Sequence, residues 1–486
     1  MNSVRYEMFK FLNNKKIILL GFGKSNFEVA KVLDDLKIDF KICDINDDSY
    51  YFSRLKNFKN SKVKFSVGKD YLKNLESDII FRSPGVPYIC NDITEARSRG
   101  VHFTSEIELF IKFCPTKLIF GVTGSDGKTT VATIIYEMLK KSGKDVFIGG
   151  NIGFSLLSVI DEIRATSYVV LELSSFQLIS ATISPKIAIV TNISENHLDL
   201  HNSFQEYIDA KTNILINQNI DDIAVLNLND KIVNKLSYKT VACKRFFSSN
   251  INLRVDNGCW IDKNKNIIFS KYSSDFEIMR SEDIKIPGIH NLENFMAAIC
   301  ACFDCVNITD IKYVAKNFFG VKHRLEFVKV VNNVRYYDDS IASTPNRTIK
   351  GALSVFQKNV ILIAGGYDKN LNFRNLGKVI CRKVKILILL GQTSEKIQKE
   401  VLNCKIKPKP KIFIVDSMEK AVNISSENGS NDDVVLLSPA CASFGMYKNF
   451  EERGEDFKKH VNFLKSYDST ENVNRLSIVK RTQIDV

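Results

Sequence analysis

Residues 118–130, LIFGVTGSDGKTT, decide how the middle of this sequence folds. The apolar residues 118–122 predict a buried strand, and the apolar spacing after Lys128 predicts a helix. Small residues between them let peptide N–H groups converge on phosphate oxygens, with the Lys128 ammonium placed for terminal phosphates and the Thr129 hydroxyl for Mg²⁺. Val122 departs from the strict phosphate-loop pattern at its first glycine, yet the strand–loop–helix order predicts a nucleoside triphosphate site. Its candidate residues are Gly124, Gly127, Lys128, Thr129 and Thr130.

A second glycine turn lies near the start of the chain. Residues 15–20 predict a strand, residues 21–26 read GFGKSN, and an amphipathic helix follows. Such a turn brings peptide N–H groups to a helix N-terminus, where the helix dipole favours a phosphate. The turn lacks the third glycine of the dinucleotide fingerprint, so it indicates a nucleotide more than it indicates NAD. A turn that serves only packing is the alternative.

Strand and helix patterns alternate around both turns, which predicts a three-domain α/β protein. The length of 486 residues suits about three domains of roughly 150 residues each. We predict a Rossmann-like N-terminal domain over residues 1–113, a central P-loop ATPase-type domain with a mostly parallel sheet over 114–321, and a C-terminal Rossmann-like domain over 322–466. Residues 467–486 lose apolar periodicity and are predicted to be a flexible tail.

Polar side chains follow several predicted strands of the central domain. Glu172 ends one strand, at the edge where ligands collect in open α/β sheets. His197 and His201 follow another strand, and the whole chain has only six histidines. We therefore expect a site role for His197, with a capping or core histidine as the alternative. Lys211 falls on the next helix, where spacing alone predicts an ordinary surface lysine.

Further polar positions carry no evident packing role. Asn291 and Asn294 are three residues apart on an Ala-rich helix, so their amides share a face and can contact a base or ribose. Helix capping by one of them is the alternative. Arg324 follows a predicted domain junction, where a guanidinium suits phosphates. Three strand ends of the last domain predict one pocket mouth, formed by residues 337–340, 365–369 and 437–444.

The ordered motifs GxxGxxGKTT from residue 121, ELSSFQL at 172–178, NHLDLH at 196–201, HRLE at 323–326 and LLSPACASF at 436–444 resemble the Mur ligase family. The resemblance covers about residues 15–465. The last motif is the most specific and indicates the members that add D-glutamate. The resemblance implies a cytoplasmic ATP-dependent acid–D-amino-acid ligase of peptidoglycan precursor synthesis. It would join D-glutamate to UDP-N-acetylmuramoyl-L-alanine through an acyl phosphate.

The resemblance also implies roles for single residues. ATP would contact the phosphate loop and Asn291, Asn294, Arg324 and Asp339. Two Mg²⁺ ions would be held by Thr129, Glu172, His197 and Lys211, with Lys211 as a carbamate. Lys128, His197 and Lys211 would be catalytic. The UDP-sugar would contact Lys24, Ser25, Gly85 and Asn151. D-Glutamate would contact Lys369, Ser443 and Phe450.

Three positions depart from expectation. Asn196 stands where many relatives have Asp before the histidine, and Ile341 stands where some have Lys, so we assign Ile341 no role. Asp126 is unexpected beside phosphates, and we expect its side chain to point outward.

The composition limits the other possibilities. Hydrophobic residues at 44% and charged residues at 25% exclude global disorder. The net charge of +13 admits a nucleic-acid-binding ATPase, but no basic stripe is interleaved with aromatic residues. No apolar run approaches the roughly 20 residues of a spanning helix. We expect a monomer that binds small molecules, without nucleic acid or membrane insertion, and with reduced thiols. A ligase for diaminopimelate, lysine or folylpolyglutamate, and an NAD-dependent dehydrogenase, are the remaining alternatives.

Overall fold

The computed structural model describes residues 3–46, 55–56, 58–194, 201–356, 358–369 and 371–465. The chain folds into two compact units, the first spanning residues 1–285 and 289–318, the second residues 286–288 and those from 319 onward. The first unit contains two sheets and the second unit contains one. Each sheet lies within one predicted domain, while the boundaries at 113 and 321 stay predictions.

The first sheet is parallel throughout and has the order β3-β2-β1-β4-β5. Its strands are β1 (Ile17–Leu20), β2 (Phe40–Asp44), β3 (Val63–Val67), β4 (Ile79–Arg82) and β5 (His102–Thr104). The accompanying helices are Ser3–Leu12, Lys24–Asp35, Asn91–Ser98 and Glu106–Phe113. Helices on both faces bury strands β1 and β4 completely, which explains their unbroken apolar runs.

The second sheet has nine strands in the order β14-β13-β12-β11-β10-β9-β6-β8-β7. They are β6 (Ile119–Thr123), β7 (Val146–Gly150), β8 (Tyr168–Glu172), β9 (Ile187–Val190), β10 (Ile223–Asn227), β11 (Cys243–Ser248), β12 (Gly258–Ile261), β13 (Asn266–Lys271) and β14 (Ser274–Arg280). Pairing is parallel from β7 to β12 and antiparallel from β12 to β14. Residues 248–283 are more polar and contain short alternating apolar runs, a pattern typical of antiparallel strands.

Helices cover this sheet and present the candidate site residues. The α-helices are Lys128–Lys141, Ser175–Leu178, Phe204–Ile216, Lys231–Leu236, Ile289–Cys302 and Ile308–Asn317. Three 3₁₀ segments are Leu156–Glu162, Ser237–Lys239 and Ser281–Asp283. Because β6, β8 and β9 are parallel neighbours, their carboxyl ends meet at one edge. Cys300 and Cys302 are fully buried in the core.

The third sheet has the order β15-β16-β20-β17-β18-β19, and among the described residues only its β15–β16 pair is antiparallel. Its strands are β15 (Glu326–Val331), β16 (Val334–Asp338), β17 (Val360–Ala364), β18 (Val384–Leu390), β19 (Lys411–Val415) and β20 (Val434–Leu437). Its α-helices are Pro345–Arg347, Leu353–Val355, Arg374–Lys383, Ser394–Asn403, Met418–Asn428 and Phe450–Phe463, and a π-helical turn spans Thr348–Ala352. The predicted tail, residues 467–486, lies outside the described residues.

No helix in the described ranges is long and apolar enough to cross a bilayer.

The buried carboxyl group of Glu106 makes the stability of the first unit depend on pH. Burial raises the pKa of Glu106 from 4.5 to about 7, and a hydrogen bond from Ser155 opposes the rise. Because the pKa of Glu106 is higher in the folded protein than in the unfolded chain, the folded protein binds the Glu106 proton more tightly. The stability that this proton contributes is complete below pH 4.5 and is lost as the pH rises through 7. The loss amounts to roughly 3 kcal/mol at most.

We therefore expect Glu106→Gln to stabilise the protein relative to wild type at pH 8 more than at pH 5. Urea unfolding at the two pH values measures the difference. Glu95→Gln is the control, because the Glu95 carboxylate is exposed and stays hydrated in both states. An equal pH dependence in wild type and Glu106→Gln would contradict the prediction.

Candidate active site

The loop between β6 and the Lys128–Lys141 helix is held by the end of strand β9. The peptide N–H of Ser125 donates to the Asn192 carbonyl at 2.8 Å, and the N–H of Asp126 donates to Asn192 Oδ1 at 3.0 Å. The Asp126 carbonyl accepts from Thr191 Oγ1 at 2.6 Å and from Asn192 Nδ2 at 3.0 Å. These bonds fix the loop backbone, and the Asp126 side chain is exposed, as predicted.

Two glycines of this loop are required by close contacts. Gly124 has φ +146°, and a Cβ there would lie 1.9 Å from Thr191 Oγ1. Gly127 has φ +81°, and a Cβ there would lie 2.4 Å from Asn294 Oδ1. L-residues rarely adopt such φ values, and neither neighbour leaves room for a side chain. The loop therefore passes closer to its neighbours than any other residue would permit.

The loop carbonyls all point toward protein donors. Lys128 Nζ donates to the carbonyls of Gly124 and Ser125, each at 2.9 Å. The Gly127 carbonyl accepts from the N–H of Val131, as in a regular first helical turn. With its carbonyls turned inward, the loop presents peptide N–H groups at the start of a 14-residue helix, where an anion is favoured.

Glu172 ends strand β8 beside this loop and is only 2% exposed. Its Oε1 accepts from Asn151 Nδ2 at 2.9 Å. Its Oε2 is buried without a hydrogen-bond partner among the residues that the structure describes. A carboxylate oxygen of this kind suits a hard divalent cation, so the donor chemistry fits Mg²⁺. Thr129, another of the four predicted ligands, is buried in the first turn of the helix.

Lys211 contradicts the surface position that its spacing predicts, because it is only 1% exposed. Its Nζ donates to the Gly124 carbonyl at 2.8 Å and lies 4.6 Å from the centre of the Tyr207 ring. Burial, reinforced by the nearby Lys128 ammonium, lowers the pKa of Lys211 well below its ordinary value. The Phe204–Ile216 helix thus turns an amine toward the phosphate loop.

A buried polar network surrounds Lys211, and sequence reasoning missed most of it. The hydroxyls of Tyr207 and Ser125 are hydrogen-bonded at 3.0 Å. His201 Nε2 pairs with Ser175 Oγ at 2.9 Å, and its ring stacks on Phe176 at 4.7 Å. The available signal in the sequence was Tyr207, an aromatic residue four positions before Lys211 and therefore on the same face of the helix. His197 and Asn196 lie outside the described residues, so the predicted role of His197 stays a prediction.

Asn291 and Asn294 share a helical face, as predicted. Asn294 Nδ2 donates to Asn291 Oδ1 at 3.1 Å, and both side chains are buried. Because Gly127 faces Asn294 Oδ1, the two amides lie beside the phosphate loop. The Ile289–Cys302 helix therefore places hydrogen-bonding groups where a nucleotide on that loop can meet them.

Three of the four predicted sugar-nucleotide residues, Lys24, Ser25 and Gly85, follow strands of the first sheet in two segments that contact each other. Lys24 is exposed at the start of the Lys24–Asp35 helix, and Gly85 is exposed after β4. The fully buried Asn26 was missed by sequence reasoning. Its Nδ2 donates to the carbonyls of Gly21 at 2.6 Å and Phe81 at 2.9 Å, which joins the ends of β1 and β4. Ser25 is half-buried in the first turn of the same helix as Lys24, whereas Asn151 lies beside Glu172 in the second sheet.

In the second unit, a histidine braces the segment around Arg324. His323 Nδ1 donates to Asp338 Oδ2 at 2.7 Å, and the His323 N–H donates to Glu326 Oε2 at 2.9 Å. These three side chains are the one group of possible metal ligands with mutually close donor atoms in the described ranges. The hydrogen bond between His323 Nδ1 and Asp338 Oδ2 already uses the atoms with which these two side chains would bind a metal ion. We therefore assign the group a structural role.

Asp339 and the D-glutamate candidates occupy the carboxyl edge of the third sheet. Burial raises the pKa of Asp339 to about 7, and a hydrogen bond from Ser438 at 2.7 Å and the charge of Arg324 oppose the rise. Ser443 is buried after β20, and the Phe450–Phe463 helix begins at Phe450. The exposed Lys369 follows β17 and has its Nζ 5.4 Å from the centre of the Phe444 ring.

A buried arginine that sequence reasoning missed links these loops. Arg453 donates to the Ser340 carbonyl at 2.8 Å, to Ser340 Oγ at 3.0 Å and to the Cys441 carbonyl at 3.1 Å. The Phe450 carbonyl accepts from Ser340 Oγ at 2.7 Å. One side chain thus fixes the segments that carry Asp339, Ser443 and Phe450.

Comparison with known proteins agrees with this geometry. Residues 122–302 match the Mur ligase middle domain, and residues 323–441 match the Mur ligase, glutamate ligase domain. A UDP-N-acetylmuramoylalanine--D-glutamate ligase of Acetivibrio thermocellus is 45% identical over 472 residues, which are 96% of this chain and 100% of that protein. The protein of the same name from Clostridium acetobutylicum is 42% identical, over 94% of this chain and 99% of its own length.

Solved structures share the fold at low sequence identity. The UDP-N-acetylmuramate-alanine ligase of Thermotoga maritima matches with a TM-score of 0.53 at 19% identity, over 92% of this chain and 99% of its own. An Acinetobacter baumannii ligase named for D-alanyl-D-alanyl addition matches with a TM-score of 0.54 at 16% identity, over 74% of this chain and 81% of its own. These matches, together with the phosphate loop and the buried Glu172 and Lys211 beside it, show that the chain belongs to the Mur ligase family.

Proposed function

We propose that this chain is an ATP-dependent ligase that joins D-glutamate to UDP-N-acetylmuramoyl-L-alanine in peptidoglycan precursor synthesis. The observation that carries the ATP chemistry is the buried pair of Glu172 and Lys211 beside the phosphate loop. The choice of D-glutamate is supported by relatives of that name, which match over nearly the whole chain, and by the LLSPACASF motif. We further propose that the enzyme is a cytoplasmic monomer.

The reaction brings anions together, and positively charged and hydrogen-bond-donating groups of the site reduce the repulsion between them. The alanine carboxylate attacks the γ-phosphorus of ATP, which forms an acyl phosphate and releases ADP. The D-glutamate amine then attacks the acyl carbon, and phosphate leaves as the amide bond forms. Peptide N–H groups of the loop and Lys128 stabilise the negative charge in phosphoryl transfer. One Mg²⁺, held by Thr129 and Glu172, and a second, held by His197 and Lys211, would neutralise charge on the transferred phosphate.

Lys211 is proposed to act as a carbamate. The lowered pKa leaves part of its amine neutral, and a neutral amine adds to CO₂ with loss of one proton. The product is an anionic oxygen ligand suited to a second Mg²⁺, in place of a buried cation. The position of Nζ supports this proposal, because its hydrogen bond to the Gly124 carbonyl places the reacting amine beside the phosphate loop.

The other candidate residues receive substrates. Asn291, Asn294, Arg324 and Asp339 contact ATP in this proposal. Lys24, Ser25, Gly85 and Asn151 contact the UDP-sugar. Lys369, Ser443 and the backbone at Phe450 receive the two carboxylates of D-glutamate, because an ammonium, a hydroxyl and a helix N-terminus all favour anions.

Phosphate release tests the proposed function directly. With ATP, Mg²⁺ and UDP-N-acetylmuramoyl-L-alanine, we expect phosphate release to require D-glutamate, because the acyl phosphate is consumed by its amine. L-Glutamate and meso-diaminopimelate serve as matched controls. Phosphate release that is the same with all three amino acids, or that is absent with D-glutamate, would contradict the proposal.

Replacement of Lys211 tests the carbamate. We expect Lys211→Ala to lower turnover by about 100-fold or more, since an anionic metal ligand is lost. A short carboxylate such as acetate should restore part of the activity in Lys211→Ala, where it fits the cavity. Lys211→Met, which fills that cavity, should stay inactive under the same conditions. Thermal melting verifies that both variants fold, and no rescue of Lys211→Ala would count against the carbamate.

Replacement of Gly124 tests the phosphate loop. In Gly124→Ala the new Cβ must displace Thr191, so we expect ATP binding to be lost by calorimetry. Gly143→Ala is the matched control, because Gly143 also has a positive φ, +70°, but no atom lies within 4 Å of its Cβ position. The control should cost about 1 kcal/mol of stability and leave ATP binding intact. Wild-type affinity in Gly124→Ala would refute the assignment.

A further inference from the structure

A buried arginine lies beneath the loop of residues 83–88, which follows strand β4. Arg82 is 2% exposed. Its Nη1 donates to the carbonyls of Val86 at 2.6 Å and Ser83 at 3.3 Å, and its Nη2 donates to the Phe176 carbonyl at 2.6 Å. The side chain therefore ties this loop to the segment after strand β8, within the first compact unit.

The charge of Arg82 has no close counter-ion. No carboxylate oxygen in the described ranges lies within 4.0 Å of its guanidinium nitrogens, and Arg82 Nε has no hydrogen-bond partner there. Burial lowers the pKa of Arg82 to about 10, so the guanidinium keeps its proton at neutral pH. The carboxyl of Glu108 influences this charge, but it is hydrogen-bonded to the Thr182 N–H at 2.8 Å. A buried cation without a counter-ion costs free energy, and an approaching anion recovers part of that cost.

A second guanidinium supports the same loop. Arg97 Nη1 donates to the Tyr88 carbonyl at 3.0 Å. Both cations lie near the Tyr88 ring, whose centre is 4.0 Å from Arg97 Cζ and 5.5 Å from Arg82 Cζ. Because Pro84 and Pro87 remove two peptide N–H donors, the loop depends on bonds to its carbonyls. Two positive charges thus collect under one short loop.

This loop packs directly against the first glycine turn. A Cβ on Gly21 would lie 2.5 Å from Val86 Cγ2 and 2.9 Å from Ser83 Cβ. The turn that carries Lys24 and Ser25 is therefore in contact with the loop that the two arginines hold. Both loops lie at the carboxyl edge of the first sheet, where a nucleotide is expected.

We propose that Arg82, assisted by Arg97, is a positioning residue for the nucleoside diphosphate part of the substrate. The two guanidinium groups hold the loop of residues 83–88 in the conformation that receives the sugar nucleotide. They also supply the positive charge that balances its diphosphate. This inference rests on the proposed function, because the ligand is the sugar nucleotide of that reaction.

The test is calorimetric binding of UDP-N-acetylmuramoyl-L-alanine to the whole enzyme. We expect Arg82→Gln to raise the Kd about tenfold, with a weaker salt dependence between 50 and 200 mM NaCl because one charge is gone. Arg82→Lys keeps the charge and should recover part of the affinity. Arg97→Gln should raise the Kd by a smaller factor, since Arg97 is half-buried. The KM for D-glutamate should not change in any of these variants.

Arg245→Gln is the matched control. Arg245 is 3% exposed and donates to the Cys300 carbonyl at 2.8 Å, but it pairs with Asp304. If the Kd rose equally in Arg245→Gln, the weaker binding of Arg82→Gln would be explained by general destabilisation. That result would overturn the inference. Unchanged sugar-nucleotide affinity in both Arg82→Gln and Arg97→Gln would overturn it as well. Failure of the wild-type enzyme to bind the sugar nucleotide would contradict the proposed function itself.

Discussion

The close approach of the phosphate loop to strand β9 is the constraint on which the rest of the central site depends. Thr191 and Asn192 bind both sides of the Asp126 peptide, and the contact leaves room only for hydrogen at Gly124. With the backbone fixed there, the loop carbonyls face inward and its N–H groups face the start of a helix. The inward carbonyl of Gly124 then becomes the acceptor that receives Lys211. A flexible loop would give that amine no fixed position.

The central strands and the phosphate loop were predictable from the sequence, because they depend on local pattern. Residues 118–122 are continuously apolar, and the glycines follow at a spacing that only a tight loop explains. The antiparallel strands β12 to β14 also follow a local pattern, the polar alternation of residues 248–283. Both features depend on residues that are close together in the sequence, so they can be recognised from the sequence alone.

The polar interior was not predictable, because each member depends on a partner far along the chain. Lys211 has a surface spacing on its own helix, and only the distant Gly124 carbonyl shows why it is buried. Asn26 joins the ends of two strands that are about sixty residues apart. Arg82 contacts Phe176 across a longer gap of 94 residues. Helical or strand periodicity carries no information about such contacts, and of these three buried residues the family resemblance assigned a role only to Lys211.

The buried cations explain more about ligands than the net charge of +13 does. Arg245 lies within a strand and is paired with Asp304, so its charge is already balanced. Arg82 and Arg453 lie near the carboxyl ends of their sheets and donate mainly to loop carbonyls, and burial lowers the pKa of each to about 10. Carbonyl dipoles balance a full charge only partly. The remaining positive charge in each unit therefore favours an anionic ligand, and the proposed reaction supplies a diphosphate for one and a dicarboxylate for the other.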